Sequence, residues 1–547
     1  MRHGTANAAP CKITTPLIAS NWYHALLTSG LLSQFHDVPD GLASGFKTGV
    51  SSILLDTFIP NNHKSALENS AAVESHISKE LRLNRYSGPF SASQLQELID
   101  NFRTAPLGVV PKPNTFAFRV IQDLSFPRND SSRSSVNSEI NSDLFPCEWG
   151  TFAQCFFLSA KAPPGTEVAI FDVDSAYRNI PIHPDDQPHF CIAWKNQIYI
   201  DHCVAFGSAS SAGLFGRVAD AFVAIVKHYG ADEVIKWVDD LAFFRYAHPT
   251  TSASIYSYDS QLIFKIAHHL GLPWKLEKHT DFSTTFRYLG FHWDLLNKLV
   301  ALPPDKASKF LNRLKPWTAH SRQTLLSAQQ LLGSLNHVCY VLPLGRTRLH
   351  YLRKFTAGFS PSSSPFMLHT VSANLAHELD WWRTTLHERS ISRPISLPAQ
   401  TCDARIYVDA SSTWGVGVLI NGKWAAWELV PTPLPPGFIN TLEMLAVEFT
   451  VYLLSKIFPS NLLFIVHSDN QGVIGALNSL TSRSTTQNES LARFLPLLFS
   501  RNCFLSAVYV MSAANPADPV SRGILPPETS RLRTTFAMPP AIKDLFL

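Results

Sequence analysis

Residues 236–244 read KWVDDLAFF. Asp239 and Asp240 stand side by side between two apolar, aromatic runs, VIKWV before them and LAFF after. Carboxylates are among the side chains least often buried, yet the flanking runs have the composition of strands. If the two runs pair in antiparallel fashion, the aspartates occupy the two-residue loop of a tight hairpin and are presented at one end of a sheet. A second doublet, Asp185-Asp186 in PIHPDDQPHF, lies among prolines and polar residues and reads as a solvated turn. An ordinary hairpin turn is the alternative for Asp239-Asp240 taken alone.

A second strand bears on that choice. EVAIFDVDSAYRNIPI (167–182) carries Asp172 at the end of an apolar run, followed by Asp174 and the aromatic Tyr177. Two strands that each deliver an aspartate to one sheet end form an oxygen-ligand site for divalent cations. Two such ions roughly 3.5–4 Å apart can activate a 3′-hydroxyl and stabilise both the attacking and the leaving oxygen of a phosphoryl displacement. Nucleotide polymerisation requires that chemistry.

With 547 residues the chain is too long for one core, and roughly three or four structural units are expected. It is 45% hydrophobic, 11% aromatic and 16% charged, a composition suited to folded domains. No stretch approaches the roughly 18 uninterrupted apolar residues of a membrane helix, and the N-terminus lacks a secretory pattern. The expected location is intracellular, in cytoplasm or nucleus. The eight cysteines are scattered without a CxxC pair, which argues against a zinc module or disulfide framework. Net charge is only +4, but its distribution is uneven. Nine Lys/Arg against four acids fall between Lys275 and Arg322, and GRTRLHYLRK follows at 345–354. These residues form either a solvated helix face or a groove that tracks phosphates.

Along the chain, residues 1–82 show no clear period and form an extension of unknown fold. From 83 to 300, strand-like runs (LGVVPK, FAFRVIQDL, EVAIFDV, FCIAWKNQIYI, IKWVDDLAFF, YLGFHWD) alternate with helical ones. GSASSAGLFGRVADAFVAIVKHYG (207–230) has apolar residues at helical spacing and Gly230 as its stop. Residues 301–356 read as helical and basic. A linker or connection covers 357–403, with AGFSPSSSPF (357–366) as its Pro/Ser segment. A second α/β unit covers 404–524, and 525–547 is a tail.

That second unit offers its own carboxylates. RIYVDASSTWGVGVLINGKWAAWEL places Asp409 at a strand end before two further antiparallel strands. NTLEMLAVEFTVYLL puts Glu443 in the first turn of a helix with Leu442, Leu445, Ala446 and Phe449 on its apolar face. A capping box, Asn440-x-x-Glu443, is the competing role for Glu443. LLFIVHSDNQGVIGALN brings Asp469 to the exit of another strand, and VYVMSAANPADPVSRG puts Asp518 beyond a last one. His467 falls on the same face as Asp469 and is expected to pack locally rather than ligate.

These motifs resemble, in order and over residues 83–524, the reverse transcriptase–RNase H proteins of retrotransposons. WVDD stands at the family's x-Asp-Asp box, and FDVDSAY at its first catalytic box. PLGVVPKPNTFAFRVIQDLS (106–125) is similar to the fingers motif, AFGSASSAGLF (205–215) to the glycine box, and YLGFHWD to the primer grip. The resemblance implies an α+β / α/β multidomain chain: fingers and palm (83–300), a helical thumb (301–356), a connection, and an RNase H-like domain (404–524). It implies RNA-directed DNA polymerase activity joined to ribonuclease H. Asp172, Asp239 and Asp240 would be catalytic, with Asp172, Val173 and Asp239 at the metals. Lys112, Arg119, Tyr177, Gly207 and Lys278 would bind the nucleotide, Tyr177 as the gate against a ribose 2′-hydroxyl. Asp409, Glu443, Asp469 and Asp518 would be catalytic and metal-binding in the hydrolase. The cofactor would be Mg²⁺ or Mn²⁺, two ions per site. Partners would be RNA template, DNA primer, RNA–DNA hybrid and dNTPs, with an element-encoded recombinase elsewhere and no membrane.

The chain departs from the family in Ala205-Phe206-Gly207, in Trp237, and in the absence of a histidine between Tyr509 and Asp518. The strings LGSLNHVCYVLPLGRTRLHYL and NPADPVSRG, with HELDWW between them, are most similar to DIRS-type elements, and gypsy-type LTR elements are the runner-up. A domesticated, catalytically silent scaffold that only binds nucleic acid is the alternative function.

Overall fold

The computed structural model describes residues 10–547 except 113–116, 129, 131, 250–253, 361–363, 365 and 389. Residues 113–116 of the fingers-like motif and part of the Pro/Ser segment 357–366 therefore lie outside the described residues, as do residues 1–9 of the extension. The chain is a mixed α+β protein of two compact units, residues 1–155 with 162–289 and residues 156–161 with 290–547.

The first unit is built on a four-stranded antiparallel sheet. Its elements begin with α1 (Ala19–Thr28), α2 (Asp37–Ser44) and α3 (Ser70–Arg82), followed by β1 (Tyr86–Phe90), β2 (Leu107–Pro111) and β3 (Phe118–Gln122). Then come β4 (Glu167–Asp172), β5 (Cys191–Trp194), β6 (Gln197–Asp201), α4 (Ser211–His228), β7 (Glu233–Trp237), β8 (Asp240–Arg245), α5 (Ser260–Leu270) and β9 (Thr280–Ser283). The main sheet has the order β9-β4-β8-β7. β4 is buried along nearly its whole length because both of its faces are covered, which explains its unbroken apolar text. Ala169 and Phe171 on one face join α4 (Phe215, Val218, Phe222, Ile225) and α5 (Ile263, Ala267, Leu270) in a single core.

FCIAWKNQIYI, expected as one strand, is two: β5 and β6 form a hairpin around Lys195 and Asn196, both at positive φ. Asn and a flexible lysine tolerate that left-handed turn. Gly230, at φ 104°, follows α4 as the expected stop. The N-terminal extension is part of this core and not an appendage. Trp22 and Leu26 of α1 are fully buried, and the Trp22 indole N–H donates to the Leu270 carbonyl at 2.9 Å.

The second unit opens with β10 (Phe291–Asp294), β11 (Leu299–Ala301), α6 (Pro304–Leu314), α7 (Leu325–Val338), α8 (His350–Ala357), α9 (Ala373–Glu388) and β12 (Ser392–Pro394). A five-stranded sheet follows. Its elements are β13 (Gln400–Ala410), β14 (Gly415–Ile420), β15 (Lys423–Glu428), α10 (Ile439–Ile457), β16 (Leu462–Ser468), α11 (Gln471–Ser479), α12 (Thr485–Ser500) and β17 (Phe504–Tyr509). The strand order is β15-β14-β13-β16-β17, antiparallel within the first three and parallel from β13 onward. Alternate residues of β13 and β14 (Ile406, Val408, Val416, Val418) meet Leu442, Leu445, Ala446 and Phe449 of α10. The tail belongs to this core: Phe546 packs on Phe449, and the Leu547 N–H donates to the Glu428 carbonyl at 2.9 Å.

None of the eight cysteines forms a disulfide. No helix among the described residues is long and apolar enough to cross a membrane.

Trp22→Ala and Phe546→Ala are each expected to cost about 3–5 kcal/mol in denaturant unfolding, by loss of burial plus the cavity left behind. Ile53→Ala, at an 86% exposed position, is expected to stay within about 0.5 kcal/mol.

Candidate active sites

β4 and β8 pair with Phe171 opposite Leu241 and Asp172 opposite Asp240. β7 and β8 pair up to Trp237 opposite Asp240, so the two turn residues are Val238 and Asp239. The doublet therefore does not fill the turn, as the sequence suggested; Asp240 is the first residue of β8. Val238 takes φ 52°, a conformation costly for a β-branched residue and one that propensity argues against. The Val173 N–H donates to the Asp239 carbonyl at 2.8 Å and ties the turn to the end of β4. Carboxylate oxygens of Asp172, Asp239 and Asp240 lie within 4.8 Å of one another.

Those charges repel at that spacing. Burial, then the neighbouring Asp172 charge, raises the Asp239 pKa; burial, then Asp239 and Asp172, raises that of Asp240. Lys278 supplies the nearest cation, its Nζ 2.5 Å from Asp172 Oδ2. The Lys275 N–H donates to the Asp172 carbonyl and the Asp174 N–H to that of Pro273, so segment 273–278 is fastened along the strand end. A donor set made only of carboxylate oxygens, with a lysine ammonium already drawn onto it, fits Mg²⁺ or Mn²⁺.

The cluster opens into a cavity of about 540 Å³. Asp172, Val173 and Asp239 line it together with Lys112, Arg119 and Lys278. Phe206 lines it too, half exposed, with the Tyr177 ring packed 5.0 Å from its own; Tyr177 itself is not among the lining residues. Gly207 sits beside them at φ 101°, a backbone that favours glycine. Sequence reasoning missed Phe206, because an aromatic before the glycine read only as a departure from a pattern. It also missed Arg178, which bonds Glu80 of α3 at 2.8 Å and Asp201 of β6 at 2.7 Å. Those partners lie 98 and 23 residues away, beyond any local signal.

The second unit holds another carboxylate cluster. Asp409 ends β13, Asp469 follows β16, and Glu443 is the fifth residue of α10; their oxygens also lie within 4.8 Å. The capping box does not form. α10 starts at Ile439 without a side-chain cap, which places Glu443 past the end positions a capping residue needs. Glu443 is buried, and its Oε2 has no hydrogen-bond partner. Burial first, then Asp409 and Asp469, pushes its pKa up to about 9. Burial likewise pushes Asp409 up to about 6, against a hydrogen bond from Ser521 Oγ at 2.5 Å. An orphaned buried carboxylate oxygen beside two further carboxylates is the deficit that a hard divalent cation fills.

Asp518 stands apart from this triad and accepts both Arg522 Nε and Nη2, at 2.9 and 2.8 Å. Ser512, in the loop between Tyr509 and Asp518 that has no histidine, donates to Asp469 Oδ2 at 2.5 Å. His467 stacks on Tyr407 at 4.7 Å, and its Nδ1 lies 3.0 Å from the Ile406 carbonyl, so it packs locally.

The basic run 275–322 is divided between the two units, at Leu289. Lys275 and Lys278 line the first site, while Lys298 reaches the Ser159 carbonyl and Arg313 the Ser334 hydroxyl. The knot at 345–354 is different. His350, Arg353 and Lys354 of α8 join Arg483 in lining a cavity of about 1040 Å³ that contains no carboxylate and includes Asn440 and Gly472 near the second triad.

No family model matches the chain, and no curated protein does. Solved structures do. The foamy viral protease-reverse transcriptase dRH in complex with double-stranded DNA is 13% identical, with a TM-score of 0.47 over 92% of this chain and 84% of that one. The foamy viral protease-reverse transcriptase with RNA/DNA hybrid is 14% identical, TM-score 0.46, over 98% and 67%. The same enzyme with double-stranded DNA is 14% identical, TM-score 0.45, over 85% and 87%. At such TM-scores the chemistry is decided by the sites themselves.

Because its folded pKa is raised, Glu443 contributes stability at low pH that is lost as pH rises from the ordinary carboxylate range toward about 9. Glu443→Gln is expected to raise the melting temperature of chelator-treated protein at pH 8, by a gain on the order of a few kcal/mol. It is also expected to flatten the decline between pH 5 and 9, followed by calorimetry. Added Mg²⁺ should stabilise the wild-type protein and not the variant.

Proposed function

We propose that the chain is an RNA-directed DNA polymerase of a retroelement, with a second, C-terminal centre that hydrolyses RNA in an RNA–DNA hybrid. One observation supports it above the rest. Asp172, Asp239 and Asp240 converge at a sheet end, and Asp172 and Asp239 line a nucleotide-sized cavity that Lys112 and Arg119 line too. Carboxylates and cations lining one cavity suit the two ends of one reaction, a hydroxyl to be deprotonated and a polyphosphate to be held.

In this function, residues 83–300 serve as fingers and palm, 301–356 as thumb, 357–403 as connection and 404–524 as RNase H domain. At either centre two divalent cations, when bound, activate the attacking oxygen and stabilise the leaving one. The protein's share is to hold and orient. Asp172 and Asp240 are fixed by the strand register, and Asp239 by the Val238 turn. Lys112, Arg119 and Lys278 oppose the charge of the triphosphate. Tyr177 would act against a ribose 2′-hydroxyl from behind Phe206, the ring it packs on and the one that lines the cavity, with Phe215 on its other side. In the hydrolase, Asp409, Glu443 and Asp469 form the ion-holding set, with Asp518 kept at its edge by Arg522. The carboxylate-free cavity beside it gives a hybrid's phosphates a track. DNA primer, RNA template, hybrid and dNTPs are the partners. The DIRS-type affiliation rests on the strings at 332–352 and 515–523 alone, and an element-encoded recombinase on that affiliation.

Asp239→Asn is expected to lower primer extension on an RNA template at least about 10³-fold, the scale seen when a group acting at the reacting atoms is removed, while hybrid cleavage persists. Asp469→Asn is expected to do the reverse. An Asp239→Asn protein that extends primers at the wild-type rate would falsify the polymerase. Tyr177→Ala is expected to raise ribonucleotide incorporation at least about tenfold relative to dNTPs, on the scale of one lost steric contact.

A further inference from the structure

The N-terminal segment contributes a wall to the first site. Ala72, Ser75, His76 and Lys79 of α3 all line the 540 Å³ cavity together with Asp172, Asp239, Lys112 and Arg119. Their spacing, i, i+3, i+4 and i+7, is one stripe of a helix. Val73 and Ile77, on the adjoining face, are buried in an apolar cluster, and Glu80, also buried, lines the cavity as well. α3 therefore turns a small, polar stripe toward the cavity and its apolar stripe toward the core.

The helix is also clamped to another residue of the lining, Arg178. Glu80 accepts Arg178 Nε and Nη2 at 3.1 and 2.8 Å, and Arg178 Nη1 donates to Asp201 Oδ2 at 2.7 Å. All three side chains are buried, and such a network breaks only at substantial cost. Arg178 follows Tyr177 directly in the chain. The residue preceding Glu80 is thus held in a fixed relation to the catalytic strand end. That residue is Lys79, exposed, with no carboxylate partner among the described residues. Ser75 and Ala72, one and two turns before it, are small side chains in the same lining.

We propose that Lys79 binds the distal phosphates of the incoming nucleoside triphosphate, as a third cation beside Lys112 and Arg119 in the cavity lining. The N-terminal segment is then part of the nucleotide site. The assignment rests on the polymerase function proposed above. It follows from the placement of an unpaired ammonium, on a clamped helix, in the cavity that Asp172 and Asp239 line.

Steady-state primer extension by wild type, Lys79→Ala, Lys79→Arg and Lys79→Glu tests it, together with titration of a fluorescent dATP analogue without template-primer. Lys79→Ala is expected to raise the dNTP KM about tenfold, as for one charge-assisted contact. Its kcat and template-primer Kd should stay within about twofold, the tolerance chosen for an unperturbed step. Lys79→Arg should recover most of the loss and Lys79→Glu deepen it, with the same ranking in the titration. An unchanged KM in Lys79→Ala, beside an active wild type, overturns the role of Lys79 and leaves the polymerase standing. Weaker template-primer binding at constant dNTP KM overturns it as well. A wild type that extends no primer removes the polymerase, and the titration still decides: equal analogue binding by wild type and Lys79→Ala overturns the assignment, and weaker binding by the variant supports it.

Discussion

Asp172 and Asp240 face each other across an antiparallel strand pair, and the arrangement of the first unit follows from keeping them there. Side chains of directly opposed residues are a few ångströms apart, and like charges so placed repel. A sheet would normally relieve that by slipping, but a one-residue slip would turn every side chain of β4 and β8 to the other face. Both strands are buried, with Phe171 and Phe243 in the core, so the slip is forbidden. The hydrophobic text of EVAIFD and DLAFFR thus enforces an electrostatic cost at the sheet end. Lys278 on Asp172 relieves part of it; the raised pKa values of Asp239 and Asp240 express the rest.

The second unit solves the same problem with different elements. There the carboxylates come from two parallel strand ends and a helix, and the helix contributes the most buried member. Glu443 sits on a face that includes Leu442, Leu445, Ala446 and Phe449 as near neighbours, all buried. Packing of α10 on β13 and β14 drives its carboxylate inward, although an Oε2 atom is left without a partner. Apolar burial of about 1.5–3 kcal/mol per large side chain outweighs one such penalty several times over. In both units a metal-ready cluster is frustrated locally and held by the core around it.

What was legible in the sequence follows from this division. Asp172, Asp239 and Asp240 stand out because carboxylates interrupt long apolar runs, and Asp409 and Asp469 because they end them. The turn register was not legible, since it depends on Val238 adopting a left-handed backbone that valine disfavours. Glu443 was ambiguous because Asn440-x-x-Glu443 satisfies a capping pattern, and only the start of α10 at Ile439 removes it. The placement of α3 was hidden for another reason. Its cavity stripe of Ala72, Ser75, His76 and Lys79 has no apolar period, and its anchor, Glu80 with Arg178, joins residues 98 positions apart. Local text records burial well and long-range ion pairs not at all.

Why an ion network anchors α3, where apolar contacts would be cheaper, can be argued from where it sits. Arg178 must be close to the strand end because it follows Tyr177, and a guanidinium near Asp172 and Asp239 would otherwise be free to compete for their charge. Glu80 and Asp201 absorb it from two sides, with the Cys203 carbonyl taking a further N–H at 2.9 Å. An apolar replacement of similar volume could pack as well, but it would not fix direction. Two N–H groups on one Glu80 oxygen and a third on Asp201 constrain orientation as well as distance. The cost of burying three charges is thereby converted into a defined position for the segment that carries Asp172 relative to the helix beside it. A carboxylate cluster whose charges repel one another depends on that definition more than on added stability.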